Sequence, residues 1–164
     1  MTDRAIASTR VAIALGANLG DREGQLQQAV IALRALLEQV VVSSFHDTVP
    51  VGVTLPHPNY LNAAVSGLTP LPPRTLLARL LDIERGLGRS RPHPNAPRTI
   101  DLDLILYGDV RLDEPALTIP HPRFRDRAFV LAPLAEIVPT MVDPETGLTV
   151  EALLARLTSP GRRP

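Results

Sequence analysis

The order of apolar runs and helical periods along this chain predicts an α+β sandwich. Three observations point there. Short apolar or alternating stretches have the length and pattern of strands. Two segments between them repeat apolar residues at three- and four-residue steps. The two kinds follow one another as β-α-β-β-α-β. That order is the ferredoxin-like one, to which C-terminal strand and helix additions are joined. The 164 residues fit one domain, 1–164, with a core from about residue 10 to 155 and frayed ends, above all Gly161-Arg162-Arg163-Pro164.

Each element has its own signal. Val11-Ala12-Ile13-Ala14-Leu15, ended by Gly16, reads as a buried strand. Asp21 is a cap for the helix that follows, whose Leu26, Val30, Leu33 and Leu37 recur at helical steps. Gln39 to Val49 opens with Val40-Val41-Val42 and reads as a second strand, and Pro50 to Pro58 as a Pro/Gly-rich loop. Asn59 to Leu68 sets Tyr60, Asn62, Ala64 and Ser66 against Leu61, Ala63, Val65 and Gly67, a third strand. Pro72-Pro73 starts a second helix with Leu76, Leu77, Leu80, Leu81 and Ile83 as its apolar face; Gly86 and Gly88 end it. After the polar loop Arg89 to Pro97, Thr99 to Tyr107 reads as a fourth strand with Ile100, Leu102, Leu104 and Leu106 on one face. Gly108 to Pro164 adds a strand and two short helices, around Arg125 to Ile137 and Thr149 to Leu157.

Composition excludes several function classes. The hydrophobic fraction of 45% argues for a globular chain, and no run approaches the roughly 18 apolar residues that cross a bilayer. Met1-Thr2-Asp3-Arg4-Ala5 lacks the apolar core of a signal peptide. With no cysteine there are no disulfides or thiolate metal sites, so the expected setting is the cytoplasm. Zero formal charge argues against nucleic acid or an anionic membrane as partner. All 17 basic residues are Arg. Without Lys there is no Walker-A loop and no Schiff base, so phosphate recognition falls to Arg forks, backbone N–H groups or metal.

Asp101 and Asp103 share one face of the fourth strand, their Cα atoms ~6.5–7 Å apart. Two carboxylates at that spacing converge on a hard cation such as Mg²⁺, which takes the rest of its shell from water and substrate phosphates. The other reading of a bare Asp-x-Asp is a wet strand face. Arg89, Arg91 and Arg98 in the preceding loop tip the balance, because guanidiniums beside metal-binding acids form a polyphosphate-binding set. Pro-His-Pro occurs at 56–58, 92–94 and 120–122, with irregular spacing and different flanks, and marks stiff loops rather than a repeat. His57 and His93 read as loop residues, His46 has no role assigned, and Arg123, Arg125 and Arg127 read as a solvated run in which Arg127 alone is singled out below.

Ala96-Pro97-Arg98-Thr99-Ile100-Asp101-Leu102-Asp103-Leu104-Ile105-Leu106-Tyr107-Gly108 resembles the hallmark of the 6-hydroxymethyl-7,8-dihydropterin pyrophosphokinases of folate synthesis. Three further stretches match in order: Gly16-Ala17-Asn18-Leu19-Gly20-Asp21, Asn59-Tyr60-Leu61-Asn62-Ala63-Ala64-Val65, and Ile119-Pro120-His121 with Arg127-Ala128-Phe129. The resemblance implies transfer of the terminal pyrophosphate of MgATP to the pterin hydroxymethyl group with release of AMP, using two Mg²⁺ ions, by a monomer. It implies that Asp101 and Asp103 hold metal, that Arg89 and Arg98 close over the phosphates, and that Arg91, His121 and Arg127 contact ATP. Glu84 matches a conformationally important acid on the ATP side. For the pterin, Asn62 matches the amide that reads the ring edge, Phe129 an aromatic that stacks on it, Thr48 and Val51 loop contacts, and Tyr60 a neighbour of the pocket. The Gly16 to Gly20 turn is expected to be structural. Asn95 stands where members often carry Trp, Pro122 where an aromatic is common, and Val49 where Pro is frequent; these departures bear on loop closure and pterin stacking.

Three other readings have less support. A ligand-binding module that has lost catalysis is opposed by Arg89, Arg98, Asp101 and Asp103 together. An RNA-binding sheet needs exposed aromatics and a basic surface, against five aromatics and zero charge here. A Mg²⁺-dependent phosphohydrolase uses the same acids but has no need of a closed Arg loop.

Overall fold

Val11 to Leu15 is apolar on both sides because β1 (Thr9–Ala17) runs through the middle of a sheet covered on both faces. The computed structural model describes residues 7–18, 20–48, 59–88 and 100–159. In chain order β1 is followed by α1 (Arg22–Leu36), β2 (Glu38–Val42), β3 (His46–Thr48), β4 (Tyr60–Thr69), α2 (Pro73–Gly86) and β5 (Asp101–Tyr107). A small hairpin, β6 (Leu112–Glu114) and β7 (Leu117–Ile119), then leads through a 3₁₀ turn at Phe124–Asp126 to α3 (Ala128–Ile137) and α4 (Val150–Thr158). The main sheet is antiparallel in the order β2-β4-β1-β5, with β3 also paired to β4. That is the ferredoxin-like order the sequence predicts.

Local chemistry sets the helix starts. The Asp21 side chain accepts from Gly24 N–H at 3.0 Å, as expected of a cap, and Thr149 does the same for Ala152 at 3.2 Å. Pro73 opens α2, where its missing N–H is no loss. Leu26, Ala29 and Leu33 of α1 and Leu76 and Leu80 of α2 pack on one sheet face with Val11, Ile13, Leu15 and Val65. Val130, Leu131 and Leu134 of α3 and Val150 and Leu153 of α4 cover the other face with Ala12, Ala64 and Phe124. The C-terminal residues thus turn a two-layer sandwich into three layers.

Two strands depart from the sequence expectation, each where an inserted residue breaks its register. The expected second strand, 39–49, is broken into β2 and β3. Ser43 takes over the ladder: its N–H bonds Ala64 O at 2.9 Å while its hydroxyl accepts from Ala64 N–H at 2.8 Å. Val42 faces Val65 but His46 faces Asn62, four steps on one strand against three on the other. The second bulge is at Ile105, since Leu104 pairs with Ile13 but Leu106 with Ala12. Leu106 therefore leaves the face of Ile100, Leu102 and Leu104 and packs under α3 and α4, and Tyr107 takes its place. The single expected C-terminal strand is also a hairpin of two, joined by a turn at Pro115-Ala116.

Candidate active site

Where β1 finishes, the sheet forms the floor of a cleft of about 700 Å³ between the strands and the second helical layer. Cross-strand register lays out the floor. Asn62 of β4, Gly16 of β1 and Asp101 of β5 form one row; Ala64, Ala14 and Asp103 form the next. A Cβ on Gly16 would stand 3.3 Å from Asn62 Oδ1, so glycine is what leaves room between the amide and the carboxylate. The opposite wall is the entry to α3, with Asp126, Arg127, Ala128 and Phe129. The Arg127 guanidinium lies 5.6 Å from the centre of the Phe129 ring.

Thr48 lines the cleft because of the Ser43–Phe45 bulge. Without the extra residue, His46 and Thr48 would point to the α1 side, where Phe45 packs instead. The Thr48 hydroxyl donates to Tyr60 O at 3.5 Å and accepts from Asn62 Nδ2. This chain orients the amide, with its NH₂ toward Thr48 and Oδ1 over Gly16, facing the cleft. Tyr60 lies at the rim, 37% exposed.

Asp101 is half-buried and Asp103 exposed. Asp103 stands at a seam: it also borders a second concavity with Leu77, Pro115, Leu117, Thr118 and His121. His121 is placed there by the second bulge, since its N–H bonds the carbonyl of the inserted Ile105 at 3.0 Å. Its Nδ1 accepts from Arg123 N–H at 3.2 Å, which leaves Nε2 to carry the proton of the neutral ring. Burial pushes the ring's pKa below the ordinary histidine value; the nearby Asp103 charge opposes that, and Arg127 and Arg123 reinforce it.

Glu84 lines neither concavity. It is buried, 3% exposed, at the end of α2 on the far side of the sheet, and accepts from Leu102 N–H at 2.8 Å. Leu102 lies between the two aspartates, so the acid grips the edge strand that presents them. Arg125, expected in a solvated run, instead makes a two-pronged pair with the fully buried Asp143, at 2.6 and 3.0 Å, and reaches Glu145 at 2.9 Å. Val51, Arg89, Arg91 and Arg98, with Val49, His57, His93 and Asn95, lie outside the described residues.

Glu136, near the end of α3, meets Ser44 and His46 beside the floor. No local pattern signals this group, because Glu136 is 90 and 92 residues away from its partners. The Ser44 hydroxyl and amide hold the Glu136 carboxyl down to about 2, with a smaller pull from His46 against the cost of burial. A depressed carboxyl stabilises the fold above its unfolded value and loses that contribution as pH falls through its folded one. The stability gap between wild type and Glu136→Gln is therefore expected to be full above about pH 4.5 and to close toward pH 2. Urea melts at pH 2.5, 4 and 6 check this; a gap independent of pH would contradict it.

A family model described as 7,8-dihydro-6-hydroxymethylpterin-pyrophosphokinase matches residues 12–139, which span both rows of the cleft floor and the entry to α3. The chain belongs to that family. Among relatives of this pyrophosphokinase family, a 2-amino-4-hydroxy-6-hydroxymethyldihydropteridine pyrophosphokinase of Synechocystis is 44% identical over 88% of this chain and 74% of its own. That of Bacillus subtilis is 46% identical over 76% and 75%. That of Methylorubrum extorquens is 41% identical over 93% and 96%. The wild-type Plasmodium falciparum HPPK-DHPS crystal structure, 14% identical, superposes with a TM-score of 0.72 over 93% of this chain, which spans 45% of that longer one. At that identity the match speaks for the ferredoxin-like fold alone.

Proposed function

We propose that this protein transfers the terminal pyrophosphate of ATP to the hydroxymethyl group of 6-hydroxymethyl-7,8-dihydropterin and releases AMP, as a step of folate synthesis. The observation that carries this reading is the position of Asp103, with Asp101 beside it, at the seam between two concavities. One is floored by an oriented amide and edged by aromatics; the other holds His121. A two-substrate transfer needs such a seam, where an acceptor oxygen and a polyphosphate meet.

The pterin lies in the cleft. Asn62 Oδ1 accepts from its ring N–H donors, and Phe129 and Tyr60 provide apolar contact. Thr48 holds the amide in that orientation. ATP takes the second concavity, with His121 Nε2–H as a neutral donor, and Arg127, on the wall of the first cleft, faces the polyphosphate across the seam as a fixed positive charge. The pterin hydroxyl oxygen attacks the β-phosphorus and forms the new P–O bond, its proton passing to solvent. The bond from that phosphorus to the α,β-bridging oxygen breaks, and AMP leaves with the oxygen. Arg89, Arg91, Arg98 and Val51 are assigned by resemblance alone, as closing and contact residues of the two substrates.

A family that uses ATP implies a divalent cation, and the donors present fit one. Asp101 and Asp103 offer two hard carboxylates on one face, and the chain has no thiolate to compete. No group of three metal-binding side chains occurs among the described residues, as expected where phosphates and water complete the shell. Bound between these acids and the polyphosphate, two Mg²⁺ ions would neutralise its charge and favour in-line geometry. Glu84 contributes by holding β5 rather than by touching the nucleotide. No helix among the described residues is long and apolar enough to cross a membrane. A monomer in the cytoplasm is the proposed working form.

The test is a nucleotide-product assay with MgATP and the pterin. AMP is expected, one per pterin diphosphate formed, and chelation of Mg²⁺ is expected to stop it. ADP as the sole nucleotide product would refute pyrophosphoryl transfer, and nucleotide binding without turnover would favour the non-catalytic module.

A further inference from the structure

We propose that Glu136 is a positioning residue for the acceptor subsite, tying the strand that carries Thr48 to the helix that carries Phe129. The inference rests on the pterin assignment above and concerns three residues, Glu136, Ser44 and His46, that have no role in it. Glu136 Oε2 accepts from Ser44 N–H at 2.9 Å, Oε1 accepts from the Ser44 hydroxyl at 2.6 Å, and His46 Nε2 bonds the same Oε1. One carboxylate thus closes three contacts on the three-residue stretch 44–46, which contains the end of the bulge and the start of β3.

Position in the fold says why such a tie is needed. β3 is three residues long, and among the described strands it pairs only with β4. So short a strand at a sheet edge, entered through a bulge, has little of its own to fix its height above the cleft. Thr48 is at its end, and Thr48 sets the Asn62 amide. The opposite wall, Phe129, is in the first turn of α3, and Glu136 is in the last turn of the same helix. The two walls of the cleft are thereby joined through one short helix, with Pro133 between Phe129 and the Glu136 contacts at its far end. The carboxylate is also badly placed for helix stability, because a negative charge in the last turn opposes the macrodipole, and no basic residue accompanies it there. Helix propensity therefore does not account for an acid at this place, whereas the contacts with Ser44 and His46 do.

Glu136→Gln keeps the shape but cannot accept from the Ser44 amide, the Ser44 hydroxyl and His46 at once. The expected result is a rise in KM for the pterin of about 5- to 10-fold, the size of one or two lost hydrogen bonds, with KM for ATP and kcat within about twofold of wild type. Ser44→Ala, which removes one contact of the same carboxylate, is expected to shift pterin KM in the same direction. The double variant is expected to be less than additive, since both changes cut one link. Equal shifts in pterin and ATP KM, or an unchanged pterin KM in folded Glu136→Gln, would overturn the proposal; so would additive effects. Glu136 is exposed enough, 37% of its side chain, for the variant to fold, and Ser44→Ala supplies the same KM comparison independently. The wild-type product assay separates the two failures: AMP formation with no pterin-specific effect sinks this inference alone, whereas no AMP from wild type sinks the pterin reading beneath it.

Discussion

Asp101→Ala is expected to lower turnover by about 10³-fold, roughly 4 kcal/mol on the barrier, while pterin affinity stays within about threefold of wild type. The split follows from the geometry. Asp101 shares the row of Gly16 and Asn62, but the glycine keeps the carboxylate apart from the amide that reads the pterin. Its removal takes away a metal ligand and leaves the Asn62–Thr48 bond intact. The same holds for Asp103→Ala, whose side chain stands one row further along at the seam. Steady-state kcat and equilibrium pterin binding, measured on the same preparations, decide the matter. A fall in pterin affinity as large as the fall in kcat would mean that Asp101 binds pterin, and the metal assignment would go.

Arg125→Met is expected to destabilise the fold by about 3–5 kcal/mol, because it leaves Asp143 buried without its counter-charge. In a chain of this size that is a fall of roughly 6–20 °C in Tm. Burial by itself would raise the Asp143 carboxyl, but the Arg125 guanidinium, the Thr146 hydroxyl and the Glu145 amide outweigh it, so the group stays below the usual range and charged. Replacing both partners, Arg125→Met with Asp143→Leu, is expected to recover part of the loss, since no buried charge then remains unpaired. Thermal melts of the three variants test this, and a Tm change under about 2 °C in Arg125→Met would contradict it. The pair also bears on the site, because it ties the 143–146 turn to the 3₁₀ turn that separates His121 from Arg127.

Much of the sheet was legible because strands and helices announce themselves by period. The β-α-β-β-α-β order, the Asp21 cap and the Pro73 start all rest on local rules, and all hold in the structure. The misreadings came where a non-local bond overrides a local pattern. Nothing in Val40-Val41-Val42-Ser43-Ser44 says that a serine hydroxyl will take a ladder bond from Ala64. Leu106 alternates faultlessly with Leu104 in the sequence, yet the pair ends on opposite faces because Ile105 is an extra residue against β1. Arg125 looked like part of a wet run because its buried partner is 18 residues away. Nor does any local pattern show that the Glu84 carboxylate accepts from the Leu102 N–H, 18 residues away.

By itself the sequence determined the chemistry open to the two aspartates. With no Lys and no Cys, a phosphate-handling site had to rely on carboxylates, guanidiniums and backbone, and strand alternation alone put Asp101 and Asp103 on one face. What only the tertiary structure decided is what those aspartates face. Register across three strands set Asn62 and Gly16 beside them, one bulge turned Thr48 and His46 to that side, and another hung His121 next to Asp103. Register and bulges depend on bonds between residues far apart in the chain, and a side-chain period read along one strand carries no information about its neighbour.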